Sequence, residues 1–164
     1  MNKKEIEGLR ELPLLKNFSA EGLVKFRSIF SPVAFKAGDM VFREGAEGDS
    51  LFIIAEGQVM IEKKRERVRE KIKCLAIMSR GDFFGEMAVL EGQPRFAQAR
   101  AAKDSLLYEL SRERLYQFIR ECPEDGAGLL IEIIRAILKR LRRVSAELLD
   151  AHGFMEVLVN YRKG

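Results

Sequence analysis

His152, Cys74 and Cys122 are all the histidine and cysteine this 164-residue chain possesses. No CxxC or Cys/His grouping joins them, so a metal-holding barrel lacks its ligands, no metal site is expected, and both thiols are expected to be reduced. No apolar run approaches the ~20 residues that a membrane span needs. The opening MNKKEIEGLR lacks the apolar stretch of a signal peptide, and together these absences point to a cytoplasmic location. No nucleophile with a paired base stands out, which argues against an enzyme. Charge of one sign does not dominate either: 29 Lys and Arg against 25 Asp and Glu leave a net +4, mild for a nucleic-acid binder.

Enough apolar residues are present, 47%, to bury the core of a single domain. Residues 35–61, FKAGDMVFREGAEGDSLFIIAEGQVMI, punctuate short β-branched and aromatic runs with glycine, as a small barrel does. The pattern predicts turns over 37–39 and 46–49 and strands over 40–42, 50–55 and 58–62, followed by a strand over 72–78 carrying Cys74. Val59 and Ile61 share one strand face and Gln58, Met60 and Glu62 the other, the alternation of a one-sided core. Gly38, Gly48 and Gly57 are read as architectural corners.

Residues 81–101, GDFFGEMAVLEGQPRFAQARA, carry the chemistry. Gly85 removes a Cβ from the path of a ligand, and the free N–H groups that open a helical turn at Glu86 suit an anion. Arg95 adds a permanent positive charge and a bidentate fork for phosphate oxygens. Glu86 would repel a phosphate, so a sugar hydroxyl donating to it is the better use.

At these residues the chain resembles the cyclic nucleotide-binding domain family. The matching positions are Phe84, Gly85, Glu86, Met87, Ala88, Pro94, Arg95 and Ala97, and the EGxEGDSLFII run from Glu44 to Ile54 is a second signature. The resemblance implies a mostly β fold with flanking helices: a β-roll, jelly-roll-like, with N-terminal helices and a long C-terminal helix. It implies that phosphate and ribose are held by Phe84, Gly85, Glu86, Met87, Ala88, Arg95, Phe96 and Ala97, and the base by Ile61, Leu75, Val144 and Ser145. The expected ligand is cAMP, with cGMP the alternative. Phe96 departs from the Ala, Ser or Thr usual after the arginine. That departure keeps a second reading open, in which the same fold is a dimerisation or protein-interaction module that no longer binds nucleotide.

The flanks read as helix. Ser19 suits an N-cap ahead of Leu23, Phe26, Ile29 and Phe30, and Ser111 and Pro123 suit the starts of two further helices. Leu130, Ile134, Ile137, Leu141, Val144 and Leu148 form an apolar seam, widened by Leu129, Ile133 and Leu138, that predicts a homodimer through residues 130–149. The mixed charges KKRERVREK over 63–71 and the helical Lys139, Arg140, Arg142 and Arg143 are read as solvated surface. The expected organisation is a candidate disordered leader over 1–8 and a single domain over 9–149. Within it fall helices over 9–31, the β-roll over 32–110 and helices over 111–149, with a tail over 150–164. Too few residues follow Asp150 for a helix-turn-helix, so direct DNA binding is not expected. The chain then reads as a stand-alone sensor that signals to a separate protein by moving its C-terminal helices.

Overall fold

The computed structural model describes residues 8–64 and 72–161, with side chains through 152. The readings made for residues 1–7 and for most of the charged connection, 65–71, lie outside the described residues. A helical turn at 8–10 and a 3-10 turn, Pro13–Leu15, lead into helix α1, Ala20–Ile29. Ser19 caps α1 by accepting a hydrogen bond from Gly22 N at 2.9 Å, which satisfies one of the free donors at the helix start.

Eight strands follow: β1 Ser31–Phe35, β2 Met40–Phe42, β3 Ser50–Glu56, β4 Gln58–Lys64, β5 Ile72–Ser79, β6 Phe83–Phe84, β7 Gln98–Ala101 and β8 Ser105–Ser111. They build two four-stranded antiparallel sheets, in the orders β1-β8-β3-β6 and β2-β7-β4-β5. The second expected turn falls at Glu44 and Gly45 rather than over 46–49, because it is Gly45 that takes a positive φ of 75°.

Strand β3 explains why its sequence is an unbroken apolar run. Phe52 and Ile54 pack inside the roll with Val59, Met78, Phe84 and Leu107. Leu51 and Ile53 point the other way, into a second cluster with Phe26, Leu115 and Phe118 from the helices. Both faces of β3 are therefore buried, and the period-two alternation is hidden in a uniformly hydrophobic string.

Helix α2, Glu86–Glu91, sits between β6 and β7, and helices α3, Arg112–Glu121, and α4, Pro123–Tyr161, close the chain. Ser111 caps α3 and Pro123 opens α4, positions for which a short acceptor side chain and a fixed φ are suited. Asp125 in the first turn of α4 accepts from Ser19 N at 2.8 Å and Ser19 Oγ at 2.6 Å, tying the two helical ends together.

Helix α4 runs on to Tyr161, past residue 149 where a tail was expected; nothing in residues 150–161 breaks it apart from Gly153, which a long helix tolerates. Leu129 and Ile133 do not widen an open seam, since both are buried against the roll. Ile134, Leu138, Leu141, Val144 and Leu148 remain exposed.

Candidate functional site

Strand β6 brings Phe83 and Phe84 to the roll, and the chain then turns sharply at Gly85, whose φ of 80° lies in the left-handed region. Any Cβ there would stand 2.7 Å from Arg95 Nη1 and 3.1 Å from Ser50 O, so glycine is required twice, by conformation and by space. Phe84 is buried and stacks on Phe52 with ring centroids 5.4 Å apart. Within α2 Ala88 is buried, while Met87 faces outward.

Arg95 is the centre of the site. The loop between β2 and β3 fixes its backbone: Arg95 N donates to Ala46 O and Gly45 N donates to Arg95 O, each at 2.8 Å. Its side chain is only 5% exposed and lies over the Phe42 ring at 4.2 Å, an arrangement that favours a cation. Nη1 donates to Ser50 O at 2.6 Å and Gly85 O at 3.2 Å, and Nη2 donates to Ser50 Oγ at 3.2 Å. Ser50 Oγ in turn donates to Glu109 Oε1 at 2.8 Å. Burial pushes the guanidinium's pKa below its ordinary value, with Asp49 and Glu109 pulling the other way; arginine nonetheless stays charged.

A guanidinium has five N–H donors. Three are engaged, leaving Nε–H and one proton of Nη2, and Nε is buried with no partner among the described residues. Those two donors are neighbours along one edge. The edge lies against Gly48, where an added Cβ would meet Nε at 2.5 Å and Nη2 at 2.7 Å. A buried charged group with an unmet bidentate edge, bordered by a residue without a side chain, is suited to an oxyanion.

A domain profile described as the cyclic nucleotide-binding domain matches residues 32–122, more than half of the chain. The chain belongs to the cyclic nucleotide-binding domain family. It is 35% identical over 119 residues to a CRP-like cAMP-activated global transcriptional regulator of Mycobacterium tuberculosis, covering 73% of this chain and 50% of that protein. It therefore spans about half the length of that relative. Among solved structures, a cyclic nucleotide-binding domain from Methylobacillus flagellatus superposes with a TM-score of 0.81 at 28% identity, covering 89% of this chain and 83% of that one. The catabolite activator protein of Thermus thermophilus gives 0.72 at 28% identity, covering 83% and 61%. Both share the β-roll with flanking helices.

In this cyclic nucleotide-binding domain, Glu86 does not stand free. Arg140 of α4 reaches it, Nη1 to Oε1 at 3.1 Å, while its guanidinium lies 4.6 Å from the Phe83 ring centroid and also donates to Phe83 O. Against the expectation of a solvated basic cluster on α4, the Arg140 side chain is tucked onto the cassette. Gly48, read as a corner, is likewise corrected, since its φ is ordinary and the space taken by Arg95 is what excludes a side chain.

The remaining residues divide. Ala97 is buried beside Arg95, but the Phe96 ring is 54% exposed, under Lys63 Nζ at 3.8 Å from its centroid. Ile61 packs on the interior cluster. A register shift between Ile61 and Glu62 puts Ala76 opposite Ile61 and leaves Leu75 unpaired in the ladder and exposed. Val144 and Ser145 are exposed on α4. Sequence reasoning missed Ser50, Phe42 and Arg140; only Ser50 carried a hint, as the hydroxyl residue of the EGDSLFII run.

Proposed function

We propose that this domain binds a cyclic nucleotide, cAMP before cGMP, and that occupancy of the cassette is passed to α4. The free Nε and Nη2 edge of Arg95, buried beside Gly48, is the observation that carries the reading. The cyclic phosphate takes that edge together with N–H groups at the start of α2. A ribose hydroxyl donates to Glu86. The exposed, outward position of Phe96 supports binding over the interaction-only alternative, because the ring is drawn to Lys63. The preference for cAMP rests on the mycobacterial relative, whose name states that cAMP activates it.

Signalling follows from Glu86, which belongs to the cassette yet is held by Arg140 of α4. A nucleotide that takes up this carboxylate biases the position of α4, and a coupling of about 1–3 kcal/mol is enough for a regulatory response. The exposed apolar stripe on α4, Ile134, Leu138, Leu141, Val144 and Leu148, supports a homodimer through residues 130–149, so a shift of α4 is felt between subunits.

Isothermal titration with cAMP and then cGMP, on protein refolded to strip carried-over nucleotide, tests this. One saturable site per chain, lost in Arg95→Ala, is the expected result. Equal binding by Arg95→Ala overturns the role given to Arg95, and no heat or thermal stabilisation with the parent overturns nucleotide binding altogether.

A further inference from the structure

Beyond the cassette, a groove of about 770 Å³ runs between β5 and α4, floored by the 3-10 turn at Leu14. Ala76, Ile77 and Met78 all line it. Consecutive strand residues point to opposite faces, so the wall of the groove is the edge of β5 and not one of its faces. That edge is open: β5 ends the sheet order β2-β7-β4-β5 and pairs only with β4 among the described residues. Edge strands normally carry charge or proline against adventitious pairing, yet β5 reads IKCLAIMS with one charge, and Ile77 is 60% exposed.

The facing wall is cationic. Arg135, Lys139 and Arg143 of α4 line the groove, and Lys16 and Arg80 stand at its floor and end. Glu132 and Asp82 are the carboxylates of the lining; Glu132 already holds Arg135 and Lys16, Arg143 makes a long, exposed pair with Glu147 of its own helix at 3.7 Å, of the kind worth little in water, and Lys139 has no ion-pair partner among the described residues. Arg135, Lys139 and Arg143 recur every four residues, about 6 Å of helix rise per step. Alternate side chains of an extended strand recur at about 6.6–6.8 Å. The two repeats match over three positions.

We propose that this groove takes an extended, acidic segment of a partner protein, which adds a strand to the open edge of β5, lays apolar side chains on Ile77 and presents alternate carboxylates to Arg135, Lys139 and Arg143. Strand addition supplies backbone hydrogen bonds and the side chains give selectivity. Nucleic acid fits less well: base stacking needs an exposed aromatic face, and the aromatic residue of this lining, Phe83, is buried and covered by Arg140. The groove also stays open in a dimer formed by the apolar stripe. Residues of a helix step by about 100°, so Lys139 and Leu141 point ~160° apart.

The test uses the full chain and a labelled twelve-residue peptide alternating Glu with Val, with a Lys-Val peptide and twelve-residue oligo-dT as rival probes, read by fluorescence anisotropy. Saturable binding of the Glu-Val peptide alone, weakened roughly tenfold or more by Lys139→Glu combined with Arg143→Glu, is expected. Ile77→Asp, which charges the edge without touching α4, weakens it too, and amides of β5 gain hydrogen-exchange protection on binding. Titration with cAMP and thermal melting accompany each variant. The expected variants melt like the parent and bind nucleotide as the parent does, so failure of the groove and failure of the cassette are read separately. Several results overturn the proposal: no peptide binding up to about 1 mM, equal binding by the charge-reversed variant, preference for oligo-dT, or loss of peptide binding in Arg95→Ala.

Discussion

Gly48→Ala is the sharpest probe of how Arg95 is seated. The backbone of Gly48 is outside the left-handed region, so alanine costs it no conformational strain. Space is the whole issue. The new Cβ would stand 2.5 Å from Nε, 2.7 Å from Nη2 and 2.8 Å from Cζ of Arg95, where comfortable contact needs about 3.5–4.0 Å. The guanidinium must retreat by about 1 Å. A displacement of that size breaks the 2.6 Å bond from Nη1 to Ser50 O and puts a methyl group against the edge proposed for phosphate. Losing one hydrogen bond to a charged group is worth about 1.5–3 kcal/mol, or roughly 10- to 100-fold in affinity. Gly38→Ala is the control, because Gly38 has a φ of 93° and nothing within 4 Å of an added Cβ. It should cost about 1–2 kcal/mol of stability from strain and leave affinity unchanged. Calorimetric titration with cAMP, paired with melting curves, separates the two effects. Parent-like affinity in Gly48→Ala would refute the argument, since Arg95 would then bind from some other seat.

Three further outcomes are expected. Leu141→Glu with Leu148→Glu, both exposed on the single chain, should convert a dimer to a monomer in analytical ultracentrifugation with the melting of the roll retained; a dimeric double variant excludes the α4 seam. Asp125→Ala removes the acceptor of Ser19 N and Oγ and should lower stability by about 1–2 kcal/mol, read by urea unfolding; an unchanged midpoint means this tie adds nothing. The N–H of Lys64, donating at 2.9 Å, holds the Glu44 carboxyl below its ordinary pKa of 4.5. A depressed folded pKa gives stability that is present above the unfolded value and lost as pH falls through the folded one. Melting temperature should therefore drop more steeply below about pH 4.5 in the parent than in Glu44→Gln, and parallel profiles would discount this carboxylate.

Local signals along the chain mark many of the elements, because each of these depends on residues close in sequence. Glycine spacing marks strands over 40–42, 50–55 and 58–62; Ser19, Ser111 and Pro123 mark helix starts, and Gly85 with Glu86 marks the turn into α2. The PR pair singled out Arg95 as the cation of the cassette. How these groups meet is settled by folding across long stretches of chain. Ser50 and Arg95 are 45 residues apart, and Glu86 and Arg140 are 54 apart, so no local pattern relates them. The role of Gly48 exists only once a guanidinium has been folded against it. A register shift in the ladder of β4 and β5 set Ala76, and not Leu75, opposite Ile61. Along α4 the apolar period is legible over 130–149, but a period says only that a face is apolar. Packing against the roll decided that Leu129 and Ile133 belong to this chain's own core, and left Leu141, Val144 and Leu148 for another surface to cover.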